Sequence, residues 1–327
     1  RIIGVEAALD LMTSGKQIGA KAALGLALID RLAAESSLRA DACAFARTML
    51  EEKRSLMKVR DMNEKLDEAR ARPSLFEDFR KAHARQFRGF KAPENIIRSV
   101  ENTLKMSFDE GMAQERVLFN ELMEDSQSVA LRPVFFAERQ AAKVEDIGKD
   151  VAMAPVEKVG VIGAGTMGGG IAMNFLTVGI PVTIVETSED ALKRGMGIIR
   201  KNYETTASKG KIKPEDVEKC MQLLTGVTTL EALGDSDLII EAVFENMAVK
   251  RDIFARLDKI AKADAILATN TSYLDIDEIA AATQRPQNVI GLHFFSPANV
   301  MKLLEVVRTK DTAKPAVATA GKLAKTI

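Results

Sequence analysis

From residue 5 to 149 apolar positions recur at helical spacing. Leu9, Leu11 and Met12 lead to Gly15. Ala20, Ala23 and Leu24 repeat up to Asp30, and Leu104, Val117, Leu118, Leu122 and Phe135 carry the pattern onward between charged residues. Nothing in this half reads as a strand. Pro73, Pro93, Gly111 and Pro133 punctuate it, which predicts several helices of ordinary length; the sustained heptads of a coiled coil are absent. Between residues 143 and 158 the periodicity fades around Gly148 and Pro155, so a domain boundary is expected there: a helical segment 1–144, a linker 145–155 and a second domain 156–327. In that second domain the period changes. Apolar runs at 158–162, 182–185, 238–240, 265–268 and 289–292 alternate with amphipathic helices. Short runs that are apolar on both faces predict a parallel sheet covered by helices on either side.

The length, 327 residues, suits about two domains. Lys and Arg number 46, as do Asp and Glu, and no block of like charge stands out. A phosphate backbone has nothing to grip it, so nucleic acid is not an expected partner. The longest apolar runs, such as 22–29, fall far short of the roughly 18 residues of a membrane span. Cys43 and Cys220 are isolated from each other and from His83 and His293, which argues against a disulfide framework or a metal site and fits a reducing compartment. The chain starts at Arg1 with no secretory signal behind it, and residues 318–327 read as a helix that stops without a cap. A piece of a longer protein is the expectation.

Chemistry concentrates after the first apolar run. Gly163-Ala164-Gly165-Thr166-Met167-Gly168 follows it directly and opens a helix. In that context the first Gly permits a tight turn, the second lets backbone approach a pyrophosphate, and the third lets the helix pack on the strand, with the anion on the helix N-terminus. Glu186 stands 18 residues past Gly168, at the end of the second run, where a carboxylate accepts from ribose hydroxyls. It would repel a 2′-phosphate, and Thr187 and Ser188 offer no Arg to bind one, so NAD is favoured over NADP. The reading is an α/β fold: a Rossmann-type, doubly wound parallel sheet preceded by an all-helical segment.

Further polar residues fall at the carboxyl ends of later strands, where ligands lie in such sheets. Glu241 and Glu245 follow the third run, with Lys250 a turn beyond; spacing alone favours a solvated helix start for Glu241. Asn270-Thr271-Ser272 occupies the matching place one strand later, where a plain N-cap for the helix containing Ile276 and Ile279 is the more common role for such residues. His293 ends the last run before Phe294 and Phe295; it is either a satisfied core histidine or a residue projecting into the cleft. Glu305, on another strand-like run at 303–307, favours the second reading, because a buried carboxylate on a neighbouring strand would orient the imidazole and stabilise its charged form, making a general base. The residues thus point to an NAD-dependent dehydrogenase of alcohols.

Residues 156–327 resemble the NAD-binding domain of 3-hydroxyacyl-CoA dehydrogenases, through GVIGAGTMGGGIA, EAVFENMAVK, ATNTSYL and above all GLHFFSPANVMKLLEVV. The resemblance implies NAD-dependent oxidation of (3S)-3-hydroxyacyl-CoA to 3-oxoacyl-CoA in fatty-acid β-oxidation, with His293 taking the hydroxyl proton, Glu305 holding His293 and Ser272 beside the hydroxyl. Glu245, Lys250 and Asn270 would lie at the cofactor with Gly163, Gly165, Thr166, Met167, Gly168 and Glu186. Lys209 and Lys211 are candidates for CoA phosphates. Residues 1–144 resemble, more loosely, the C-terminal part of enoyl-CoA hydratase/isomerase domains, on GVEAALDLMTSGKQIGAKAALGLALID, where that family usually has Gly in place of Ala27. Together the halves resemble the middle of a multifunctional β-oxidation enzyme, peroxisomal or bacterial and cytoplasmic. The hydratase core and a C-terminal dehydrogenase domain would be its missing partners, and the piece alone a poor catalyst. The alternatives are a β-hydroxyacid dehydrogenase of another class, whose Lys base the His293/Glu305 pair argues against, and a non-catalytic dinucleotide-binding remnant.

Overall fold

The computed structural model describes residues 1–141, 143–148 and 150–327; Ala142 and Lys149, the latter inside the expected linker, lie outside the described residues. They form two compact units, Arg1–Ala141 and Ala142–Ile327.

The first unit is helical: α1 (Val5–Ser14), α2 (Ala20–Gly25), α3 (Leu38–Glu51), α4 (Glu64–Arg70), α5 (Leu75–Phe87), α6 (Ala92–Lys105), α7 (Phe108–Glu124) and α8 (Ser126–Ala141). Its core comes from α1, α4, α5 and α6, where Leu9, Leu66, Phe76, Ile97 and Val100 pack together. Three sequence expectations are corrected here. Gly111 lies inside α7 and Pro133 inside α8, so neither ends a helix. Pro133 forfeits one backbone hydrogen bond, but α8 has no buried residue, which leaves the freed carbonyl within reach of water. The helix expected to run to Asp30 stops at Gly25 instead, because Ala27 turns left-handed (φ 58°). Its N–H donates to the Leu24 carbonyl and that of Leu28 to the Ala23 carbonyl, both at 2.9 Å, which is the Schellman closure of a helix end.

The second unit alternates: β1 (Val159–Ile162), α9 (Thr166–Thr177), β2 (Val182–Val185), α10 (Glu189–Ser208), α11 (Pro214–Gln222), β3 (Leu224–Val227), β4 (Leu238–Glu241), α12 (Met247–Ile260), β5 (Ile266–Thr269), α13 (Ile276–Ala280), β6 (Val289–Phe294), β7 (Leu304–Arg308) and α14 (Lys314–Thr326). Every residue of β1, β2, β4 and β5 is buried, as runs apolar on both faces require. One core packs α9, α10, α11 and α14 on one face of the sheet, and a second packs α12 and α13 on the other. Strand order is β3-β2-β1-β4-β5-β6-β7, parallel except for β7, which runs antiparallel to β6. The chain therefore winds outward from β1 in one direction, returns to β4 on β1's other side and winds the opposite way. A crevice opens at that reversal, beyond the carboxyl ends of β1 and β4. At the opposite, amino end the Asp237 carboxylate accepts the N–H groups of Glu157 and Lys158, both at 2.9 Å, and the Lys262 ammonium at 2.7 Å. This ties the entry of β1 to that of β4.

Candidate active site

The glycine loop leaves β1 with Gly163 at φ 99°, where a Cβ would meet the Ala242 carbonyl at 2.7 Å. At Gly168 a Cβ would lie 1.8 Å from the Gly163 carbonyl, so only Gly lets α9 pack this close to the turn. Gly165 is different: nothing lies within 4 Å of its Cβ position, and it caps α9 with no side-chain hydrogen bond. The loop is thus closed toward the protein and open on the side where the first N–H groups of α9, from Thr166, Met167 and Gly168, have no partner within the helix. Such a cradle of unpaired N–H groups suits an anion. Glu186, directly after β2, reaches back over the loop: Oε1 accepts the Ala164 N–H at 3.0 Å and Oε2 the Thr187 N–H at 2.8 Å.

At the end of β4 the structure overturns the solvated reading of Glu241. Its side chain is 0% exposed and Lys250's 1%, with Nζ 2.8 and 3.0 Å from the two carboxylate oxygens. Lys250, expected at the cofactor, thus has its ammonium in the interior. The same Nζ lies 3.2 Å from Glu245 Oε2. Glu245 Oε1 accepts the Ser272 N–H at 2.8 Å and the Thr271 hydroxyl. Burial pushes the Glu245 carboxyl up, but the Thr271 hydroxyl, the Ser272 N–H and the Lys250 ammonium outweigh it and hold the group below the usual carboxylate range.

The segment 270–272 is not the N-cap of α13 either; Asp275 fills that place, accepting the Asp277 N–H. Asn270 instead turns to the next strand, its Oδ1 accepting the Phe294 N–H at 2.8 Å, which fastens the loop to the end of β6 one residue past His293. His293 and Glu305 are directly opposite in the antiparallel register of β6 and β7, and Nδ1 of the imidazole lies 2.7 Å from Glu305 Oε2. The carboxylate is not buried as expected: its side chain is 50% exposed, against 17% for His293, because β7 is the sheet's edge. Phe295 covers one side of the imidazole, ring centroids 4.6 Å apart. With Nδ1 on the carboxylate, Nε2 is the nitrogen left for other chemistry.

Lys209 and Lys211 stand exposed in the turn between α10 and α11, and among the described residues neither side chain is bonded to the strand-end cluster. A cavity of about 750 Å³ lies between the end of α9, the α10–α11 pair and the 298–304 turn; Phe294 and Leu304, neighbours of His293 and Glu305, line it, and the glycine loop does not. Among the described residues no group of three or more His, Cys, Asp and Glu is arranged to hold a metal ion, and no helix is long and apolar enough to cross a membrane.

Residues 158–327 match the family described as 3-hydroxyacyl-CoA dehydrogenase, NAD binding domain. The chain belongs to this family. Over its whole length it is 40% identical to the peroxisomal bifunctional enzyme of Cavia porcellus, of which it spans 45%, so the chain is about half as long as the curated relatives it matches. FadB2 of M. tuberculosis superposes with a TM-score of 0.52 at 43% identity, over 53% of this chain and 61% of that one. The 3-hydroxybutyryl-CoA dehydrogenase of Escherichia coli gives 0.52 at 39%, over 53% of this chain and 37% of the other. For a 3-hydroxyacyl-CoA dehydrogenase family member, Thr269 has no sign in the sequence, and Glu241 reads there as a solvated helix start although a contrary signal is present. The available signal was a single carboxylate closing the otherwise apolar Leu238-Ile239-Ile240 run: a charge in a fully buried strand must have a buried partner.

Proposed function

We propose that this chain carries the dinucleotide-binding part of an enzyme that oxidises the 3-hydroxyl of (3S)-3-hydroxyacyl-CoA in β-oxidation, with NAD rather than NADP as cofactor. NAD, when bound, accepts a hydride. The glycine loop and the start of α9 would hold its pyrophosphate, and Glu186 its adenosine ribose, since Oε1, which accepts the Ala164 N–H, keeps a second lone pair for a ribose hydroxyl. The same carboxylate would repel a 2′-phosphate.

The observation that carries the reading is the His293–Glu305 pair at the crevice end of β6. His293 Nε2 takes the proton of the 3-hydroxyl as hydride leaves C3. Glu305 keeps the other ring nitrogen protonated and the ring oriented, and Ser272, exposed on the loop that Asn270 fastens to β6, is placed to hold the hydroxyl oxygen. Lys209 and Lys211, being exposed cations, suit CoA phosphates. The helical unit is read as the C-terminal part of an enoyl-CoA hydratase/isomerase domain, a reading supported by the match of the whole chain to a bifunctional enzyme. That relative's name favours a peroxisome, and the bacterial structures favour a bacterial cytoplasm.

The test is NADH formation by the complete protein supplied with (3S)- and (3R)-3-hydroxybutyryl-CoA and with the free hydroxy acid. Turnover of the 3S thioester is expected. Turnover of the free acid alone would replace the reading with a β-hydroxyacid dehydrogenase, and NADH binding without turnover would leave only a dinucleotide-binding remnant.

A further inference from the structure

Among its described residues the α/β unit buries one complete ion pair, Glu241 with Lys250, and it lies beneath the loop that carries Asn270 and Ser272. All four polar contacts of the Glu241 carboxylate are made inside the protein. Oε1 accepts from Lys250 Nζ and from the Val243 N–H, both at 2.8 Å; Oε2 accepts from Lys250 Nζ at 3.0 Å and from the Thr269 hydroxyl at 2.7 Å. The Thr269 oxygen in turn accepts the Thr271 N–H at 3.3 Å. Lys250 reaches on to Glu245 at 3.2 Å, and Glu245 accepts from the Ser272 N–H. One ammonium is therefore divided between two carboxylates of unequal freedom: Glu241 is enclosed on every side, whereas the Glu245 side chain is 28% exposed and can move.

Packing alone does not call for such a group, since apolar side chains of the same volume commonly stabilise a core as well as or better than a buried ion pair. What the pair adds is placement. We infer that Glu241 is a positioning residue of this site: by holding Lys250 it limits the pull of the ammonium on Glu245, and so fixes Glu245 and the 270–272 loop against the end of β6. Without the Glu241 charge, Lys250 has one carboxylate left and draws it inward. The Ser272 N–H and Thr271 hydroxyl then lose their acceptor. The geometric part stands on the contacts above; the consequence for dinucleotide binding rests on the dehydrogenase reading.

The experiment uses the full chain as unaltered protein, Glu241→Gln, Lys250→Met and the double variant. Hydrogen exchange is read without ligand, and NADH affinity by calorimetry. Glu241→Gln is expected to speed exchange at the Ser272 amide about tenfold while β1 and β2 amides keep their protection, and to raise the NADH Kd about tenfold. Because both substitutions act along one path, the double variant should bind no more weakly than the weaker single variant. Exchange at Ser272 and an NADH Kd both within about twofold of the unaltered protein would reduce Glu241 to a packing residue, and singly measured losses that multiply in the double variant would break the path. If Glu241→Gln does not fold, Glu241→Asp, whose shorter side chain loosens the hold on Lys250 while the ammonium stays, decides: Ser272 exchange within about twofold of the unaltered protein overturns the inference. Absence of NADH binding by the unaltered protein would sink the dehydrogenase reading, and the exchange comparison would still decide the positioning.

Discussion

The α/β unit places polar groups inside, at the ends of its strands, whereas the helical unit keeps them on its surface. Glu241, Lys250 and Thr269 are all buried, and each has a partner that fixes its direction. In the helical unit the charged residues pair across exposed helix faces, as Arg80 does with Glu94 and Glu101 and Arg72 with Glu6, and the core is a cluster of eight buried apolar residues. Exposed pairs such as Arg72–Glu6 are worth little, whereas Arg80, half-buried and forked on Glu94, joins α5 to α6 more firmly. The contrast separates a scaffold that aims side chains at one crevice from one that asks only for helix-to-helix packing. Four substitutions test it.

The largest effect is expected where backbone touches backbone. Gly168→Ala places a Cβ 1.8 Å from the Gly163 carbonyl, so α9 has to move; a loss of about 3 kcal/mol or more in urea unfolding is expected, together with loss of NADH binding. A fully folded variant that binds NADH would show the loop to be far more yielding than its contacts suggest. His293→Ala in the complete protein should lower kcat by about 10² or more and leave the NADH Kd nearly unchanged. A small effect on turnover would return His293 to the role of a core residue.

Asp237 tests the other end of the same sheet. Burial pushes its carboxyl up, but the Lys262 ammonium and the N–H groups of Glu157 and Lys158 outweigh that, and the group sits below the ordinary range. Its contribution is therefore complete above the unfolded value of about 3.9 and fades as pH falls through the lower, folded value. Asp237→Asn should cost about 1 kcal/mol at pH 7, after allowance for solvent screening, and the difference between variant and parent should shrink in acid. A difference independent of pH would assign the loss to packing. The smallest effect belongs to the helical unit. Ala27 sits at φ 58°, a conformation that costs a residue with a Cβ about 1–2 kcal/mol, so Ala27→Gly should stabilise by up to about 1 kcal/mol once the extra freedom of the unfolded chain is subtracted. A destabilised variant would mean that the methyl group packs usefully.

Much of this was legible in the residues. β1, β2, β4, β5 and β6 announce themselves because each is apolar on both faces, and a strand so enclosed leaves no room for another pattern. β3 did not, since Leu224 is its one buried residue; Thr225 and Gly226 look like turn residues until Met196 and Leu192 are seen packed where a Gly226 side chain would be. The glycine loop and the facing of His293 and Glu305 follow from local spacing and from strands that end at one edge. The Glu241–Lys250 pair does not: the apolar run before Glu241 calls for a buried partner, but that partner lies nine residues on in another element, where Lys250 alone reads as a surface charge. Pro133 and Gly111 misled for the opposite reason: Gly111 keeps its N–H, which donates to the Ser107 carbonyl at 2.9 Å, and the bond that Pro133 gives up leaves a carbonyl on an exposed helix where water can replace it.

The opposed run of β6 and β7 has a consequence for how such a chain can vary. His293 and Glu305 meet because they are rungs of one ladder, and the length of the connection from Phe295 to Leu303 does not enter the geometry. The connection is held on its own account: Ala298 is buried against Gly170, and its carbonyl accepts from the Asn174 side chain at 3.0 Å. A single residue inserted within either strand sends Glu305 to the opposite face of the sheet and leaves the imidazole without its anchor. Length should accordingly be fixed from Ile290 to Phe294 and from Leu304 to Arg308.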